Sequence, residues 1–292
     1  MSKKSRIWTT DDIINYESLD PKVFKPKKGQ VYANLPNDIY HSLTDWHSST
    51  LIKTALKSKE HFDAASKKKT ETSMPMEVGS AFHSAWENWL QTGELDLNAV
   101  ETTSTRVCDK WLKEKKENPG KYVIPAESIQ AIEGMCIKLE QNRLIEDEQG
   151  NMRDLFDNGY SELSFFGELN GIKVKARPDY TRFDLHWLYD WKTCSDARPA
   201  EFSRAIANFL YHFSIVFYAR VANSVTGIVF PTYVLVAIEK EEPHYLKYYY
   251  LDDETVSTAN VLIDEALDTI KYGDAQTDLE PISLPAWAKR IG

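Results

Sequence analysis

Glu162-Leu-Ser-Phe-Phe-Gly-Glu-Leu-Asn-Gly-Ile-Lys-Val-Lys-Ala-Arg-Pro-Asp179 reads as two strands joined by a tight turn. Asn170-Gly171 is the dipeptide that best tolerates left-handed backbone at both centres of a two-residue hairpin loop. Residues 172–177 alternate apolar and basic side chains, the period of a strand with two unlike faces. With that turn, Leu169 pairs with Ile172, Glu168 with Lys173, Phe166 with Lys175, Ser164 with Arg177, and Glu162 with Asp179. The last four pairs share one polar face, while Leu163, Phe165, Val174 and Ala176 share the other. Opposed carboxylates at Glu162 and Asp179 repel unless a cation lies between them. The alternative is a bulge at Pro178, which cannot donate to the ladder.

Downstream, a third strand over 185–193 follows a short loop. Pro199 then opens a long helix whose single stripe is Phe202, Ile206, Phe209, Phe213, Phe217 and Val221. Strands over 228–239 and 245–251 and a helix over 253–271 follow. Upstream, residues 1–45 are polar, interrupted by Pro21, Pro26 and Pro36, and read as an extended arm. A helix capped by Ser48 or Ser49 runs through Leu51, Ile52, Ala55 and Leu56, and residues 67–73 form a loop by composition. Apolar residues at 78, 81, 82, 85, 86, 89 and 90 predict a helix. Two more helices, over 102–117 and 126–144, are separated by Asn118-Pro-Gly120. The order implies an α/β fold, a mixed central sheet flanked by helices with a helical N-terminal part. One domain over 1–292 divides into the arm, a mainly helical part (46–150), a sheet-containing core (151–271) and a tail (272–292).

The chain is 42% hydrophobic and 27% charged, an ordinary globular balance. No run of eighteen apolar residues predicts a membrane span, and no apolar stretch follows the basic N-terminus as in a secretory signal. Cys108, Cys136 and Cys194 have no paired spacing and read as free thiols in a reducing cytoplasm. A net charge of −9 argues against a protein coated in basic residues. Local exceptions are six lysines against two acids between Lys53 and Lys69, and the series Lys173, Lys175, Arg177. There is no Gly-x-Ser-x-Gly elbow for a serine hydrolase.

Asp190-Trp191-Lys192 lies in the third strand, so Asp190 and Lys192 project to one side. A carboxylate beside an ammonium suits metal-assisted phosphodiester hydrolysis, in which oxygen ligands hold the ion and a lysine supports the developing charge. His83 lies at the margin of the 78–90 stripe, one turn before Glu87, and reads either as a packed core histidine or as a ligand to an oxygen-rich site. Lys53, Lys57, Lys59 and the helix start at Ser49 read either as phosphate contacts or as a solvated face with a plain cap.

Gly79-Ser-Ala-Phe-His83, Glu162-Leu-Ser164, Arg177-Pro-Asp179, Asp190-Trp-Lys-Thr193 and the segment 197–202 together resemble the nuclease domain of RecE-type exodeoxyribonucleases, in the PD-(D/E)XK superfamily. They are more distantly similar to the lambda exonuclease and the RecB nuclease domain. The resemblance spans 32–251. It implies that His83, Asp179, Asp190 and the Trp191 carbonyl bind Mg²⁺, with Mn²⁺ able to substitute, that Lys192 is catalytic, and that Glu162 is an additional acidic residue of the site. It further implies a DNA contact from the helix that carries Ser214 and Tyr218, while local charge and the helix start make Ser49, Lys53, Lys173, Lys175 and Arg177 the other candidate DNA contacts. Where the family's helix carries a glutamine four residues before a tyrosine, this chain has Ser214 before Tyr218, which leaves that glutamine's contact near the scissile phosphate open. The implied activity is degradation of one strand of linear double-stranded DNA in phage-type recombination, beside a single-strand annealing protein and within a homo-oligomeric ring, in the cytoplasm of a bacterial host. A sequence- or structure-specific endonuclease on the same core, or a weakened DNA-binding module, are the alternatives.

Overall fold

The computed structural model describes residues 8–68, 72–146 and 152–274. Two short strands, β1 (Ile13–Asn15) and β2 (Gln30–Ala33), precede the helices α1 (Asn37–Ser42), α2 (Ser49–Ile52), α3 (Lys59–Lys67) and α4 (Met74–Thr92). Small pairings, β3 (Ala99–Thr102) with β4 (Tyr122–Pro125) and β5 (Leu144–Glu146) with β6 (Met152–Asp154), frame α5 (Asp109–Glu117) and α6 (Ala126–Gln141). The central strands are β7 (Tyr160–Ser161), β8 (Ser164–Leu169), β9 (Ile172–Ala176), β10 (Tyr180–Arg182) and β11 (Trp187–Cys194). Helices α7 (Pro199–Phe209) and α8 (Tyr211–Thr226), strands β12 (Thr232–Glu239) and β13 (Leu246–Tyr250), and α9 (Asp253–Tyr272) follow.

The hairpin keeps the register set by Asn170-Gly171, from Leu169↔Ile172 through Phe165↔Ala176. The same register reappears beyond a break, where Ser161 pairs with Tyr180 and Tyr160 with Thr181. Between them the Glu162 N–H donates to the Asp179 carbonyl at 3.1 Å, so Glu162 does lie across from Asp179. One long ribbon thus passes from a four-stranded sheet ordered β1-β2-β8-β9 into a five-stranded sheet ordered β13-β12-β11-β10-β7. The crease falls at Glu162, whose φ of 50° is left-handed. A non-glycine residue there stores roughly 1–3 kcal/mol and marks a place the surroundings over-determine.

Helices cover both faces of the central sheet. Phe213, Phe217 and Val221 of α8 and Ile263 of α9 pack on Phe165, Val174, Leu188, Leu235 and Ala237. On the other face Phe82 and Trp86 of α4 and Met135 and Leu139 of α6 pack on Tyr189, Trp191, Val234 and Val236. The chain strand-pairs β11 to β12 in parallel and the remaining neighbours of this sheet antiparallel, the mixed sheet expected. The α4 helix begins where Ser73 accepts the Met76 N–H and ends at Gly93, whose φ of 74° suits a residue without a Cβ. Among the described residues no single helix is long and apolar enough to cross a membrane.

Several expectations are corrected. The presumed arm contributes β1, β2 and α1, because β2 finds an antiparallel partner in β8 that local sequence does not announce. The loop after Asp179 contains β10, and the helix expected over 102–117 starts at Asp109 because residues 99–102 pair with β4. The long helix after Pro199 is two helices bent by 64° at Leu210, which is left-handed with φ 52°. The hairpin's polar face is not open. Phe166, Tyr32, Tyr40 and Trp46 form a cluster over it. The N-terminal residues 1–7, the loop residues 69–71, the segment 147–151 and the tail beyond 274 lie outside the described residues.

Candidate active site

The β10–β11 ladder ends at Tyr180↔Tyr189, and one step further Asp179 would face Asp190. Instead the strands part, and the Asp179 side chain takes the place of a ladder acceptor. The Trp191 N–H donates to Asp179 Oδ2 at 2.6 Å. Alternation along β11 sends Tyr189 and Trp191 into the α4/α6 layer, so Asp190 and Lys192 point with Leu188 towards α8. Lys192 Nζ lies 2.5 Å from Asp190 Oδ2 and donates to the Trp191 carbonyl at 3.1 Å. Asp190 is 2% exposed, and its Oδ2, although in ion-pair contact, has no donor aligned for a hydrogen bond.

From the opposite layer, α4 carries His83 to the mouth of this notch, with Nδ1 3.2 Å from Asp179 Oδ1. His83, Glu162 and Asp179 each offer a ligand atom within 4.8 Å of the others. Glu87, one turn further along α4, lines the same cleft. Arg177 approaches Glu162 Oε2 at 3.8 Å.

The electrostatics follow from this crowding. Burial and then the Asp179 charge push Glu162 up to about 8, against the pull of Arg177. Burial likewise raises Glu87 and Asp190, Lys192 partly offsetting the latter. Asp179 is held below the ordinary carboxylate range: burial opposes its ionisation, but His83 and then Lys192 and the Trp191 N–H outweigh it. His83 is raised because the Asp179 carboxylate outweighs burial. Lys192 is raised, since Asp190 and Asp179 outweigh burial. Several acids held against ionisation around a buried, unaligned carboxylate oxygen make a donor set that a divalent cation fits. Oxygen ligands with one imidazole suit a hard to borderline divalent cation.

The sequence-expected residues divide into two groups. His83, Glu162, Asp179, Asp190, Trp191 and Lys192 converge as above. Tyr218 lies close enough to raise its own pKa through burial and the Asp190 charge, and the Ser49 hydroxyl donates to its oxygen at 3.4 Å. Ser214 is buried and shares one helical face with Tyr218 and with Tyr211, whose ring lies 5.2 Å from Lys192 Nζ. Lys53 donates to the Phe209 carbonyl at 3.1 Å, and burial pushes it down to about 8 although Asp190 pulls it up.

The second group is turned to other partners, although Arg177 also reaches Glu162. Lys175 and Arg177, expected on a DNA-facing surface, are 4% and 9% exposed. Lys175 donates to the carbonyls of Tyr40 at 2.6 Å and Leu43 at 2.9 Å. Arg177 donates to Ser164, Asn37 and Leu35 and lies on the Tyr40 ring. Both cations satisfy backbone of the N-terminal segment, so phosphate contact from them is corrected to a structural role. Lys173 is exposed but stands six residues up the hairpin from Asp179, roughly 20 Å at about 3.4 Å per residue. Lys59 is paired with Asp63. The sequence places Glu87 one turn from His83 but assigns it no role, and sequence reasoning missed Tyr211, which the bend at Leu210 hid.

A family model described as a PDDEXK-like domain of unknown function (DUF3799) matches residues 48–282. No curated protein matches the chain. Among solved structures, a candidate exonuclease from Eubacterium rectale superposes with a TM-score of 0.53 at 15% identity, covering 88% of this chain and 99% of that one. A phage-related exonuclease from Haemophilus somnus 129PT is 11% identical, with 76% of this chain and 91% of that one covered and a TM-score of 0.31. The first likeness speaks for the fold.

Proposed function

The chain belongs to the PDDEXK-like family whose model spans residues 48–282, and from that premise we propose that it is a Mg²⁺-dependent exodeoxyribonuclease acting on one strand of linear duplex DNA. The observation that carries this reading is the meeting of His83, Glu162 and Asp179 with the Asp190–Lys192 pair at the parting of β10 and β11. Such a set, half buried and rich in carboxylates, suits a phosphodiester whose charge must be neutralised before attack.

In this reading His83, Asp179, Asp190 and the Trp191 carbonyl hold the metal, with Glu162 beside them. The bound ion supplies an acidified water and neutralises phosphate charge. Lys192 stays protonated through its two aspartates and presents its ammonium to the phosphoryl oxygen as charge develops. Asp190 fixes that ammonium in place. Asp179 also anchors the Trp191 backbone through its Oδ2, so its neighbour Asp190 cannot drift along the strand. A role in phage-type recombination, beside a single-strand annealing protein and within a ring of subunits, rests on the resemblance in the sequence.

End-labelled linear duplex and closed circular duplex, each with and without Mg²⁺, test the proposal. Progressive loss of label from the linear DNA alone is expected, only with metal. Cutting of the circle would replace this reading with an endonuclease on the same core.

A further inference from the structure

Phe209 is a large apolar residue at 62% exposure, and its position is held from several directions. It is the last residue of α7, and the left-handed Leu210 after it turns the chain by 64° into α8. Lys53, from a different part of the chain, donates to the Phe209 carbonyl at 3.1 Å and pins the corner. The Phe209 ring stacks on Tyr211 with centroids 5.5 Å apart and planes 23° from parallel. Tyr211 in turn lies 5.2 Å beneath the ammonium of Lys192. A continuous path therefore runs from the catalytic lysine across one aromatic ring to a second whose outer face is open.

Scattered exposed apolar side chains are ordinary. This one differs in being oriented by a stack, a backbone bend and a lysine that also feels Asp190 and Lys192. Every nucleobase offers a π face, and stacking on an aromatic side chain binds single-stranded nucleic acid without regard to sequence. The Lys192 ammonium and the Phe209 ring are thus at most about 11 Å apart, no more than roughly three nucleotides at about 3.4 Å each along a strand.

We propose that Phe209, backed by Tyr211, is a stacking platform for an unpaired base of the strand being cut, within about three nucleotides of the scissile phosphate. The inference rests on the nuclease reading above and adds to it the form of the substrate. The platform takes a base freed from its neighbours, since a base inside a duplex has both faces already stacked. Phe209 positions the strand, and Lys192 remains the group at the phosphate.

The test uses linear duplexes carrying one abasic site at the first, second or third position of either terminal strand. Affinity is measured in Ca²⁺ to hold off cleavage, for wild type, Phe209→Ala and Phe209→Trp. At one of these positions the missing base should lower wild-type affinity about 5- to 100-fold. The same lesion should cost Phe209→Ala less than about two-fold, because its stacking partner is already gone, while Phe209→Trp should keep the full penalty. Equal abasic penalties in wild type and Phe209→Ala overturn the platform. So does a shift of oligomeric state in Phe209→Ala with unchanged penalties, which would assign the ring to a contact between copies. Failure of the nuclease reading looks different: wild type would then neither bind nor cut the intact duplex in Mg²⁺.

Discussion

The Trp191 N–H donates to Asp179 Oδ2 at 2.6 Å, a place where a neighbouring strand would ordinarily supply a carbonyl. This bond lets β10 and β11 separate without leaving a buried donor unpaired, a loss that costs about 1–3 kcal/mol. It also fixes the spacing between two carboxylates from different strands. Asp179 is turned towards His83, and Asp190 towards Lys192 and α8. The notch between them belongs to neither strand alone.

If Asp190 is a metal ligand, Asp190→Asn should lower Mg²⁺ or Mn²⁺ affinity by at least about 100-fold and abolish cleavage. The amide keeps the size of the side chain but cannot supply the charge. Calorimetric titration of the DNA-free protein reads the affinity directly, and an unchanged value would remove Asp190 from the ligand set.

Lys192 should act on the transition state more than on ground-state binding. Lys192→Ala is expected to reduce turnover roughly 100- to 1,000-fold while DNA affinity in Ca²⁺ stays within a few-fold. Loss of binding in step with turnover would recast the residue as a phosphate anchor.

Lys53 feels the charges of both Asp190 and Lys192, and burial pushes it down to about 8. Its charge is present below that pH and lost above it, so its grip on a phosphate should weaken as pH rises from 7 to 9. Lys53→Gln should remove that part of the pH dependence and flatten the slope of log affinity against log salt by about 0.9 at pH 7. Lys173→Glu, about 20 Å up the hairpin, should change the slope less. Curves for wild type and Lys53→Gln that stay parallel in pH and salt would show that Lys53 touches only the Phe209 carbonyl.

Lys175 gives a stability signature. Burial pushes its pKa down from 10.5 to about 8, so between those values the unfolded chain holds a proton that the folded chain has released. Stability from this group therefore rises with pH across the window and is at its lowest below about 8. Lys175→Met lacks the rise and leaves the Tyr40 and Leu43 carbonyls without their donor, at a cost of about 1–3 kcal/mol. In urea unfolding the gap between wild type and variant should widen from pH 7.5 to 9.5. A gap that narrows would mean that the folded protein retains the lysine proton.

The sequence by itself determined the hairpin and its register, because a two-residue Asn-Gly turn leaves strand pairing no freedom and side chains alternate from it. That register carried Glu162 to Asp179 across a break between two sheets, and strand alternation alone put Asp190 and Lys192 on one side. The α4 stripe likewise announced a helix with His83 at its margin. Only the tertiary structure decided where charge meets solvent. Lys175 and Arg177 alternate as exposed residues should, yet the N-terminal segment folds over them and its carbonyls accept their hydrogen bonds. Only the tertiary structure, too, parted β10 from β11 and bent the chain at Leu210. Both depend on partners more than ten residues away, Trp191 for Asp179 and Lys53 for the Phe209 carbonyl, and such contacts leave no period in the local sequence.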